Sequence, residues 1–169
     1  MELIVFDLDG TLLDASSRIS AYTRETLERL SRRGILYTVA TGRALHASRD
    51  ILDGHGFRLP QAYKNGVLIW NPDADAYSRH QFLTGAEIRH VVEAVLRQGV
   101  TPFLSTLEPG RVHGIYHPPL RTTVDRDLAG HFASRPEVRL RPVAELPADA
   151  EITSISALGP HGEIGRAHV

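Results

Sequence analysis

The stretch Leu3-Ile4-Val5-Phe6-Asp7-Leu8-Asp9-Gly10-Thr11-Leu12-Leu13 constrains this chain more than any other. Residues 2–6 are short, apolar and β-branched, which predicts a strand buried on both faces, as in a parallel sheet. That strand runs directly into two carboxylates separated by one leucine. In open α/β sheets, ligands sit just beyond the carboxyl ends of the strands, where Asp7 and Asp9 fall. Two carboxylates this close repel unless a cation lies near them or one is protonated. Their oxygens suit Mg²⁺, which takes one or two carboxylates together with waters and substrate phosphate. Gly10 permits a turn that other residues resist, the N–H groups of such a turn can cradle an anion, and Thr11 adds a hydroxyl.

The pattern downstream continues the same architecture. Ile19, Thr23, Leu27 and Leu30 predict an amphipathic helix over 20–33, with Ser20 as N-cap and Gly34 as stop. Residues 35–40 predict a second buried strand, and a helix is expected from about Ala44 to Leu52. Strand, helix, strand, helix with short joints argues a right-handed parallel α/β unit. "AYKNGVLIW", "NPDADAY" and "SRHQF" then read as a strand running into a hairpin that turns near Pro72–Ala74. A helical stripe over 86–98, extended pieces at "TPFLST" and "RVHGIYH", a helix near 125–134 and a strand at "EITSISAL" form an α+β module. The boundary between the two parts is expected near 82–85.

Two further segments fall where a site needs them. Thr41, Gly42 and Arg43 end the second strand just before the expected helix, and a hydroxyl with free N–H groups at a helix N-terminus binds phosphate. Arg43 is a candidate substrate contact, with an exposed structural arginine as the alternative. Asn65-Gly66 is a turn signal after what reads as the third strand. His113 and His117 are spaced as a helical metal pair, but Gly114 and Pro118 argue against that helix, and the nine histidines are read as non-ligands.

Composition excludes several classes. The chain has 169 residues and no cysteine, so disulfides, thiolate metal sites and a cysteine nucleophile are ruled out. The longest apolar runs are too short to cross a bilayer, and Asp7 and Asp9 fall where a signal peptide would be apolar. These features point to the cytoplasm. A net charge of -1 provides no general attraction for nucleic acid or anionic lipid. Of the 19 basic residues only Lys64 is lysine, so a missing lysine can be noticed.

"VFDLDGTLL" resembles the first motif of the haloacid dehalogenase (HAD) superfamily, and "ATGR" resembles the second. The resemblance implies that Asp7 is a nucleophile forming an aspartyl-phosphate and that Asp9 is the general acid/base. It further implies that the Asp7 side chain and the Asp9 backbone carbonyl hold Mg²⁺, and that Thr41 binds the transferring phosphoryl group. "KNGVLIW" is similar to a segment of the Cof-type branch, implying that Asn65 contacts phosphate or the leaving group. The implied fold is a partial Rossmann-like core over 1–83 with an inserted α+β cap over 84–160, a cap that in the branch closes over the core and selects substrate. The implied activity is hydrolysis of a small phosphorylated metabolite such as a sugar phosphate. A phosphotransferase such as a phosphomutase shares the first motif, and a non-catalytic fragment is the other alternative.

The resemblance reaches about residue 158. Members of the family carry a later lysine and a "GD-x-x-ND"-like acidic segment, and neither occurs in this chain. The reading is therefore of a C-terminally truncated member, a fragment expected to have activity far below that of a complete one. Residues 161–169 are read as a non-native tail, because "IGRAHV" matches one frame of a common sequencing adapter.

Overall fold

The computed structural model describes residues 2–80, 82–83, 85–108, 112–158 and 164–167. The chain divides into two compact units, 1–81 and 82–169. No helix among the described residues is long and apolar enough to cross a membrane.

In the first unit, β1 (Leu3–Phe6) pairs in parallel with β2 (Leu36–Val39), with Leu3 opposite Leu36 and Phe6 opposite Val39. Between them lies α1 (Ala21–Arg32). Ser20 caps it by accepting the Thr23 N–H at 3.1 Å, Leu27 is buried, and Gly34 follows at φ 70, as the sequence predicts. A single parallel bridge, Ala40 to Ala62, joins the β2 end to β3 (Gln61–Tyr63). β3 continues antiparallel through β4 (Leu68–Asn71) to β5 (Ala76–His80).

Three expectations need correction here. β1 is not buried on both faces: Leu3 and Val5 are 56% and 54% exposed. Among the described residues β1 has one strand neighbour, β2, so nothing shields its apolar side chains as a central parallel strand requires. The helix expected over Ala44–Leu52 is broken into a 3₁₀ turn, Leu45–Ala47, and a four-residue α2 (Arg49–Leu52). Ser48 stands at the break with φ -132, and its hydroxyl donates back to the Ala44 carbonyl at 3.2 Å. This is the competition by which a short hydroxyl side chain interrupts a helix. "AYKNGVLIW" is not one strand, because Lys64 (φ 50) and Asn65 (φ 55) turn the chain between β3 and β4.

The second unit is a five-stranded sheet in the order β10-β9-β6-β7-β8. β6 (Pro102–Glu108) lies antiparallel to β7 (Val112–His117) and to β9 (Ile152–Leu158). β8 (Val138–Pro142) pairs in parallel with β7. Side chains alternate between two cores. Phe103 and Ile115 pack with Ala129 of α4 (Thr123–Ala133), whereas Leu104, Tyr116 and Ile152 pack with Ile88, Val91 and Val92 of α3 (Gly85–Arg97). The alternation is the period of two that any strand imposes. Sequence reasoning missed β8, although its Val138-Arg139-Leu140-Arg141 alternation is the signal that identifies it. The expected non-native tail lies outside the described residues except for β10 (Ile164–Ala167), which pairs antiparallel with β9.

Candidate active site

A backbone ladder draws three strand ends of the first unit together. The Ala40 N–H donates to the Phe6 carbonyl at 2.8 Å, and the Thr41 N–H donates to Ala62 at 3.0 Å. The Lys64 N–H donates to Arg43 at 2.9 Å, and the Asn65 N–H to Thr41 at 3.0 Å. The residues following β1, β2 and β3 are thereby held side by side at the carboxyl end of the parallel strands. Asp7, Asp9, Gly10, Thr11, Thr41, Gly42, Arg43 and Asn65 all lie on these three connections.

Asp7 is exposed and stands first after β1, and its Oδ1 accepts the Leu8 N–H at 2.8 Å. That bond ties one carboxylate oxygen to its own backbone. Asp9 follows in a tight turn with φ -74 and ψ 124, and Gly10 takes φ 74, the left-handed conformation that favours glycine. Thr11 is exposed on the same turn, whereas Leu8 and Leu12 are buried beneath it. The two leucines of D-L-D-G-T-L thus anchor a loop whose polar residues point to solvent.

Thr41 is 3% exposed, and its hydroxyl oxygen accepts the Arg43 N–H at 3.1 Å. The Gly42 N–H makes no hydrogen bond among the described residues. The Thr41 and Arg43 N–H groups are engaged, whereas those of Gly42, Ala44 and Leu45 have no acceptor among the described residues, so the free N–H groups expected at this helix start are present, on a 3₁₀ turn and one short helical turn.

Arg43 is paired with Asp9. Its Nε donates to Asp9 Oδ2 at 2.8 Å and its Nη2 to Asp9 Oδ1 at 2.6 Å, a two-pronged pair spanning 34 residues of sequence. Nη2 also reaches Ser17 Oγ at 3.4 Å, and Nη1 reaches the Ala47 carbonyl at 3.4 Å. The hydrogen bonds to Asp9 hold the Arg43 guanidinium above its ordinary pKa, against the opposing effect of burial. The side chains are 22% and 59% exposed, for Arg43 and Asp9 respectively. Solvent screening at the Asp9 end keeps such a pair near 1 kcal/mol, so it orients Asp9 more than it stabilises the fold. Ser17 and Ala47 were not legible as site residues, since no local pattern marks a side chain that an arginine from another loop will reach.

No cluster of three or more histidine, aspartate or glutamate side chains able to hold a metal occurs among the described residues. The hard oxygen donors available after β1 are the Asp7 carboxylate and the Asp9 backbone carbonyl, since both Asp9 side-chain oxygens accept from Arg43. That set fits Mg²⁺, which keeps several waters and completes its shell with substrate oxygen. A cavity of about 440 Å³ elsewhere in the first unit is lined by Arg49, Phe57, Arg58, Trp70 and Asp75 among others, and includes none of these site residues.

The sequence profile of the haloacid dehalogenase-like hydrolases matches residues 4–120, which span this site and more than half of the chain. The chain belongs to that family. Among curated relatives, the 5-amino-6-(5-phospho-D-ribitylamino)uracil phosphatase YwtE of Bacillus subtilis is 49% identical over 69 residues, covering 41% of this chain and 23% of the relative. The phosphatase YwpJ of the same organism is 35% identical over 77 residues, covering 46% and 27%. In fold, the HAD phosphatase BT1666 from Bacteroides thetaiotaomicron superposes with a TM-score of 0.72 at 20% identity, over 95% of this chain and 57% of that one. The subclass IIB sugar phosphatase BT4131 superposes at 0.69 with 17% identity, over 94% and 58%. The matched stretches are thus well under two thirds of each relative. The HAD assignment made from "VFDLDGTLL" and "ATGR" is the family that these comparisons show.

Proposed function

We propose that the protein is a Mg²⁺-dependent phosphomonoester hydrolase that acts on small phosphorylated metabolites in the cytoplasm, with a sugar or polyol phosphate as the first choice of substrate. The observation that carries this reading is the ladder that sets Asp7 and Asp9 beside Thr41, Gly42 and Asn65. A phosphate docked there meets a carboxylate nucleophile, a second carboxyl group and neutral donors at once. The phosphatase names of the curated relatives and the sugar phosphatase among the structural neighbours support the same class.

In the proposed reaction an Asp7 carboxylate oxygen attacks phosphorus, and the bond from phosphorus to the ester oxygen breaks. Asp9, as the acid, gives its proton to the departing alkoxide. The Asp9 carboxylate then takes a proton from water as that water attacks phosphorus, breaking the bond to Asp7 and releasing inorganic phosphate. The Thr41 hydroxyl and Gly42 N–H bind phosphoryl oxygens, and Asn65 contacts the phosphate or the leaving group. The Asp7 carboxylate and the Asp9 carbonyl would hold Mg²⁺, which when bound would supply charge neutralisation at the phosphoryl group. Residues 1–83 are proposed as part of the catalytic core and 84–160 as part of a substrate-selecting cap.

Phosphate release from a panel of sugar and polyol phosphates tests this reading. This chain is expected to turn over at least one member slowly and in a Mg²⁺-dependent way, and Asp7→Asn to abolish that activity. Acid-quench mass spectrometry is expected to show a phosphoryl adduct on Asp7. Equal turnover by wild type and Asp7→Asn refutes the nucleophile, and transfer of phosphate to a second sugar in place of water replaces hydrolase with phosphotransferase.

A further inference from the structure

We propose that the cavity of about 440 Å³ in the first unit binds a planar aromatic molecule carrying one anionic group. The volume is that of a small-molecule site, which runs from roughly 300 to 1,000 Å³. Its lining includes none of the residues assigned to phosphoryl transfer, so a molecule held there is bound and not turned over. The floor is built by β3, β4 and the segments beside them. Gln61 and Trp70 stand opposite one another in the β3–β4 register, Tyr63 follows Gln61 on the same face, and Leu52 and Phe57 close the side. These five side chains are at most 8% exposed. The Tyr63 hydroxyl donates to Gln61 Oε1 at 2.6 Å, and Gln61 Nε2 donates to the Phe57 carbonyl at 3.1 Å. With those groups engaged with one another, the floor presents chiefly the Phe57, Tyr63 and Trp70 rings. Such surfaces favour offset or edge-to-face contact with another ring.

The rim decides the charge. Arg49 pairs with Asp75 at 3.0 Å, and its guanidinium lies over the Trp70 ring, 5.7 Å from the centroid. That place over the indole is where a cationic ligand would sit, and it is filled. Asp53 Oδ1 accepts the Gly54 N–H at 3.0 Å, so each rim carboxylate already has a donor. Donors, by contrast, are in surplus. The Arg58 guanidinium is exposed and makes no hydrogen bond or ion pair among the described residues, and the Gly56 and Phe57 N–H groups have no acceptor among them. An anion beside Arg58 gains a charge-assisted bond, while the ring attached to it fills the buried floor.

Trp70 is the only tryptophan of the chain, so its indole N–H gives a single, assigned resonance in a ¹⁵N-labelled sample. The 169-residue chain is titrated without Mg²⁺ with two probes, adenosine 5′-monophosphate and 2-naphthoate, which place a phosphate and a carboxylate on an aromatic bicycle. A saturable shift of the indole resonance with either anion is expected. Adenosine and 2-naphthalenemethanol, which keep the ring and lose the charge, are expected to bind at least roughly tenfold more weakly, and inorganic phosphate alone to leave the resonance in place. Arg58→Ala is expected to weaken the anions by at least roughly tenfold and Arg58→Lys by less. Asp7→Asn is expected to bind them as wild type does, which separates this site from the phosphoryl-transfer residues. No saturable shift with either anion at millimolar concentration would overturn the proposal. So would neutral rings that bind as tightly as the anions, or an Arg58→Ala variant that folds and binds as wild type does.

Discussion

Asn65 combines a turn conformation with a place in the proposed site. Its φ of 55 lies in the left-handed region, which asparagine tolerates better than most side chains, and its N–H bonds to Thr41 beside the second strand end. Backbone and side-chain roles can be separated by substitution. Asn65→Gly keeps the turn without strain, so any loss of phosphatase activity reports the side chain, and a loss of roughly tenfold or more is expected if it contacts phosphate or leaving group. Asn65→Ala is expected to lose the same activity and, in addition, about 1 kcal/mol of stability from the strained φ. Urea unfolding of the two variants beside wild type checks the second half. Asp7, Thr41 and Asn65 were each legible in sequence, because a short motif places each directly after a strand. Arg43 was legible as a site residue but its partner was not, since Asp9 lies 34 residues away.

At the level of elements, α4 illustrates a helix start that also ties two segments together. Thr122 caps it by accepting the Asp125 N–H at 3.0 Å. Asp125, 4% exposed, accepts the N–H groups of Arg121 and Thr122, both at 2.9 Å, and the Thr101 hydroxyl at 2.8 Å just before β6. Burial pushes the Asp125 carboxyl upward, but these hydrogen bonds outweigh it and hold the group below its ordinary value. A carboxyl with a depressed folded pKa stabilises the fold fully above its unfolded value, about 3.9, and loses that contribution as pH falls through the lower folded value. Asp125→Asn is therefore expected to cost about 1–3 kcal/mol at pH 7. The gap between variant and wild type is expected to shrink as pH falls below about 4. Denaturant melts across that range measure it, and a gap constant with pH would exclude the charged form as the cause. The S/T-x-x-D/E capping pattern is readable in "TTVD", but the Thr101 contact, 24 residues away, is not.

On the scale of the whole molecule, the exposed flank of β1 sets the behaviour to expect in solution. Leu3 and Val5 present apolar surface on a strand with one described neighbour, and such edges pair with other chains. The 169-residue chain is expected to self-associate as its concentration rises. Leu3→Thr with Val5→Thr is expected to reduce this, because threonine keeps strand propensity while removing apolar area. Light scattering against concentration decides the point, and unchanged association in the double variant would locate the sticky surface elsewhere. The sequence predicted this strand as buried because apolar composition reports what a segment can bury, and the neighbours that bury it are a tertiary matter.

By itself the sequence determined the parallel α/β start, the α+β second part and the placement of Asp7, Asp9, Thr41 and Asn65 on the connections that follow strands. These depend on periodicity and on motifs a few residues long, which local backbone preferences enforce. Tertiary structure alone decided that Ser48 splits the expected helix and that β1 stays half exposed. It also decided that Arg43 spends its guanidinium on Asp9. Each of these follows from which distant atoms come within hydrogen-bonding or packing reach, and only the folded chain fixes those distances.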